Sequence, residues 1–160
     1  MPRVLIVAYG NPLRCDDGVA WHAADVLEHE FPESEVEILR LHQLAPEVAD
    51  AAQHRDLLLF IDAASLDRIH ETKPGQIRVT EISRLATQTD HAAQFSHVYP
   101  PSRILALARE LYHASPQAFV ITVAGENFDH GDSLSDAVAA AIPSLVAQVV
   151  EIVRRHIAKS

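Results

Sequence analysis

The chain opens on an almost unbroken apolar run, Val4 to Ala8, the pattern of a strand buried on both faces. A Gly-containing turn follows, and then Val19, Ala23, Leu27 and Phe31 recur at helical spacing, with Asp16 or Asp17 placed to cap that helix. Val36 to Leu41 reads as a second strand, Ala45 to Gln53 as a short helix opened by Pro46, and Leu57 to Ile61 as a third, very apolar strand closed by Asp62. Gln76 to Ile82 alternates as a half-exposed strand at a sheet edge does. The segment from Ser83 to Tyr99 has no clear period and is long enough to be a functional loop. Pro100-Pro101-Ser102 opens a helix carrying Ile104, Leu107, Ala108 and Leu111, Phe119 to Val123 is another buried strand, and a tail helix follows from Ser135, kinked or split by Pro143.

Strands alternating with helices predict a single α/β domain over residues 1–160. Its three layers are a twisted, mostly parallel sheet of about five strands with helices on both faces. At 160 residues, 48% of them apolar, the chain can bury a core without a structural metal, and its lone cysteine, Cys15, excludes an internal disulfide and fits a reducing, cytoplasmic setting. The net charge of −9 argues against a nucleic-acid partner, and no run is read as long enough to span a membrane. Oligomeric state is left open.

In open α/β sheets ligands bind beyond the carboxyl ends of the strands, which gives weight to the acids that gather there. Gly10-Asn11-Pro12-Leu13-Arg14-Cys15-Asp16-Asp17-Gly18 sets two carboxylates at a strand-to-helix turn, and Asp62 closes the third strand. An acid ending so apolar a strand needs solvation, a partner or a ligand. With the loop around His97, these form a carboxylate, carboxylate and imidazole set suited to zinc, nickel, manganese or iron. His91, His42 and His130 are rivals for the imidazole position, and spacing does not rank them. The turn lacks the Lys-Ser/Thr of a phosphate loop and the third glycine of a dinucleotide site, and adjacent carboxylates disfavour a thiolate at Cys15.

The same residues, Gly10 to Gly18, then Phe60-Ile61-Asp62-Ala63-Ala64, Ser96-His97, His42-Gln43-Leu44-Ala45-Pro46-Glu47 and Gly125-Glu126-Asn127, resemble the hydrogenase maturation proteases along nearly the whole chain. The resemblance implies an endopeptidase that removes a short C-terminal peptide from the large-subunit precursor of a nickel-iron hydrogenase. It also implies that nickel already inserted in that precursor serves as the recognition element, while the ligand set itself would equally suit another divalent metal. Asp17, Asp62 and His97 would then contact the metal, and Asp16 would cap the helix or orient Asp17. Asn11, Glu126 and Asn127, at the same rim, could hold the peptide backbone. A non-catalytic nickel-sensing or scaffold protein using the same crevice, and a small-molecule-binding α/β domain, are the competing readings.

Overall fold

The structure, a computed structural model, describes residues 1–67, 71–83 and 99–160. His97 and His91 therefore lie outside the described residues. Five strands form one sheet: β1 (Val4–Tyr9), β2 (Val36–Leu41), β3 (Leu57–Ala64), β4 (Ile77–Glu81) and β5 (Gln117–Ala124), in the order β2-β1-β3-β5-β4. All neighbours run parallel except β4, which pairs antiparallel with β5 and forms the edge anticipated from its alternating pattern.

Side chains alternate across each strand, and the two faces of the sheet feed two separate cores. Val4, Ile6 and Ala8 of β1, with Leu57, Leu59 and Ile61 of β3, pack beneath α1 (Val19–Leu27) and α4 (Asp136–Lys159). Leu5, Val7 and Tyr9, with Leu58 and Phe60, pack beneath α2 (Glu47–Ala51) and α3 (Pro101–Tyr112). Every residue of β1 is buried, which explains why it carries no polar position to mark one face. Pro101 starts α3 where a missing N–H costs nothing, and His113 ends it in the left-handed conformation, φ 54°.

Three expectations need correction. β3 does not stop at Ile61: β5 runs on to Ala124, so Asp62, Ala63 and Ala64 keep backbone partners at Thr122, Val123 and Ala124. α4 is not split at Pro143 but runs as one helix through it, because Val138, Leu145, Val149 and Val153 fix it to the sheet on both sides of the proline. At 24 residues it is also long and apolar enough to cross a membrane by length and composition, contrary to the expectation that no segment was, although its apolar stripe packs into the core.

From β1 the chain passes to β2 on one side, then crosses back to β3 on the other, so the strand order reverses between β1 and β3. That reversal opens a crevice at their carboxyl ends, where Gly10 to Gly18 leaves β1 and Asp62 sits near the end of β3.

Candidate active site

The turn after β1 is shaped by backbone constraints. Gly10 has φ 141°, and a Cβ there would lie 2.0 Å from the carbonyl oxygen of Asp17, so only glycine lets the turn fold back on itself. The following residues form a short 3-10 turn, Cys15–Gly18, before α1 begins at Val19. Neither acid caps α1, whose N-cap is Gly18 without a side-chain bond. They point to different tasks.

Asp16 is fully buried and accepts four hydrogen bonds. Its Oδ2 takes the N–H of Glu126 at 2.9 Å, the N–H of Asn127 at 3.0 Å and the hydroxyl of Ser135 at 2.9 Å, while Oδ1 takes the Ser135 N–H at 2.8 Å. Burial alone would raise its pKa, but these bonds together outweigh burial and hold it below the ordinary carboxylate value. The turn is stitched further to the loop after β5: Asp16 N–H donates to Asn127 O at 2.9 Å, and Cys15 N–H to Gly131 O at 2.8 Å. Cys15 is buried in this seam, with its Sγ against Gly131. Asp16 thus ties three segments together, and among the described residues no hydrogen bond joins its side chain to that of Asp17. Glu126 and Asn127, expected to hold a peptide, give their backbone N–H groups to Asp16 and leave their side chains exposed at the rim.

Asp17 is half-buried, and its Oδ2 accepts the Asn11 N–H at 2.7 Å. Asn11 is itself locked by the Leu13 N–H on its Oδ1 at 2.9 Å. Asp62, also half-buried, has its pKa raised from 3.8 to about 7. Burial is the larger cause and the neighbouring Asp17 charge the second, while the N–H of Ala63 and the hydroxyl of Tyr9 pull it back. Tyr9 is the residue that sequence reasoning missed. It is buried at the end of β1 on the same sheet face as Asp62, and its hydroxyl donates to that carboxylate, with its own pKa raised by burial and by the Asp62 charge. Period-two counting along β1, carried one residue past Ala8, is the signal that finds it.

Asp17 and Asp62, proposed from sequence, therefore come together from separate strand ends. His97, the third of the set, lies outside the described residues. Among the described residues no group of three His, Cys, Asp or Glu side chains is placed to hold a metal. His42 is exposed and packs edge-on against Trp21, and His130 is exposed on the loop after β5. Two carboxylates, one driven toward its neutral form by burial and by the other, form a seat whose repulsion a divalent cation would relieve, and one further donor would complete a borderline-hard set.

A three-layer α/β fold with paired acids at its switch point defines a class of proteins that act on a ligand in that crevice. Comparison with known proteins narrows the class. The HycI family model, described as hydrogenase maturation protease, matches residues 22–152, and the chain belongs to that family. It is a peptidase, which sets aside the scaffold and small-molecule readings. Among solved structures it is similar to the hydrogenase maturating endopeptidase HybD from E. coli, with 22% identity over 96% of this chain and 93% of that one and a TM-score of 0.75. It is also similar to the [NiFe] hydrogenase maturation protease HycI from Thermococcus kodakarensis KOD1, with 19% identity over 95% and 92% and a TM-score of 0.76. No curated protein matches the chain. The matched span starts after Asp17, so that acid stands on the geometry of the turn alone.

Proposed function

We propose that this peptidase removes a C-terminal peptide from the large-subunit precursor of a nickel-iron hydrogenase, and that nickel already seated in that precursor is what it recognises. One observation carries the reading: Asp17 and Asp62 converge from two strand ends at the switch point, close enough for one charge to raise the pKa of the other. With His97 they supply two oxygens and a nitrogen to an ion carried by the substrate. Asn11 holds the Asp17 carboxylate through its N–H, and Tyr9 holds Asp62 through its hydroxyl, so both acids present fixed oxygens to the incoming chain. The scissile carbonyl is then hydrolysed by water positioned in the same crevice. The single buried cysteine supports a cytoplasmic place of action.

The test is to incubate the protein with nickel-loaded and nickel-free precursor and follow the precursor's mass. The wild type removes the tail from the loaded form only, while Asp17→Asn, Asp62→Asn and His97→Ala leave it intact. Normal trimming by all three variants would refute the assigned site, and equal trimming of nickel-free precursor would refute metal recognition.

A further inference from the structure

The row of the sheet that holds Asp62 continues outward. Asp62 of β3 is in register with Thr122 of β5, and Thr122 with Arg78 of β4, so these three side chains emerge side by side on one face. Two strand spacings of about 4.8 Å set Arg78 roughly 10 Å from Asp62 along that row. Past the row lies a groove of about 60 Å³ lined by Ala64, Thr122, Ala124, Gln76, Asp67 and Arg78. Its floor is small where β3 and β5 contribute alanines, leaving space for a group the size of a carboxylate and not for a large side chain. Asp67 already has a partner, whereas the exposed Arg78 guanidinium makes no hydrogen bond or ion pair among the described residues. In a chain of net charge −9, an unpaired guanidinium beside the acid crevice is a place of opposite sign.

We propose that Arg78, with Thr122 beside it, forms a subsite that grips a carboxylate of the departing tail about three residues beyond the scissile bond, the number an extended chain needs to span that distance. The inference rests on the peptidase reading above and adds to it a residue that selects the tail. The carboxylate belongs either to an acidic side chain in the tail or to the tail's own C-terminus, and a planar guanidinium suits both through two parallel N–H bonds.

Steady-state processing of the nickel-loaded precursor tests it. Arg78→Ala raises KM about tenfold and leaves kcat within about twofold, and Arg78→Lys recovers part of the loss, as expected for binding energy shared by ground and transition states. Two substrate arms separate the sources: precursors with tail acids changed to glutamine, and a precursor whose tail ends in an amide. Whichever arm removes the true ligand raises the wild-type KM to a similar extent and adds nothing further in Arg78→Ala. An unchanged KM in Arg78→Ala while the wild type cleaves normally would overturn the subsite alone, as would full additivity in both arms. A wild type that never cleaves would instead sink the peptidase assignment for this substrate, and the subsite with it.

Discussion

Asp16 and Asp62 are carboxylates at the same rim of the sheet, yet their surroundings are opposite. Asp16 meets four donors and is held below its ordinary pKa, whereas Asp62 meets a second acid and is pushed up to about 7. The difference comes from what the chain returns to each position. The loop after β5 and the start of α4 turn their N–H groups onto Asp16, while among the described residues Asp62 receives the Ala63 N–H and the Tyr9 hydroxyl against the charge of Asp17. A saturated carboxylate fastens the fold together. An under-satisfied pair is left with capacity for something that is not part of the protein.

The contrast can be broken experimentally, and the largest effect is expected at Asp62. Under the proposed function, in which Asp62 touches the reacting centre, Asp62→Asn should lower precursor processing by about a hundredfold or more, with unfolding stability equal to or above the wild type in urea titration because a repulsion is removed. Asp16→Asn should do the reverse, costing about 3 kcal/mol of unfolding free energy by placing an amide N–H₂ among buried donors, with processing retained in the fraction that stays folded. Gly10→Ala should damage both regions, since its Cβ collides with the Asp17 backbone; about 2 kcal/mol of stability is expected to go with it, read from the same titration.

The smallest effect sharpens the comparison through pH. Asp62 has a folded pKa of about 7 against 3.8 unfolded, so between those values the folded chain binds a proton the unfolded chain does not. In protein free of divalent metal its contribution is therefore most favourable below about pH 4 and is lost as pH rises toward 7, a slope that Asp62→Asn should flatten. Asp16, with its pKa lowered, contributes the opposite slope: its stabilisation is present above 3.8 and lost as pH falls through the folded value. Urea midpoints at a series of pH values for the two variants separate the slopes.

Much of the fold was legible from local pattern. The apolar runs at Val4, Val36, Leu57 and Phe119 and the alternation from Gln76 mark all five strands, because burial on one or two faces writes a period directly into the chain. The acid pair of Asp17 and Asp62 was legible for the same reason, as strand ends at a parallel rim must share one side. What stayed hidden depends on contacts distant in sequence. The partners of Asp16 lie 110 to 119 residues further on, so a local reading sees only a helix cap. The extension of β3 through Asp62 depends on how far β5 runs, and the meeting of Arg78 with the Asp62 row depends on antiparallel register. Pro143 suggests a kink or a split by its chemistry alone, and the packing on either side of it keeps the helix from splitting.

The division of labour between neighbouring acids is tested most directly by measuring, on the same preparations of Asp16→Asn and Asp62→Asn, both the rate of tail removal from nickel-loaded precursor and the free energy of unfolding. The account predicts a crossed result: Asp62→Asn is stable and inactive, and Asp16→Asn is active when folded and markedly less stable. An Asp62→Asn protein that trims the precursor at the wild-type rate would contradict it.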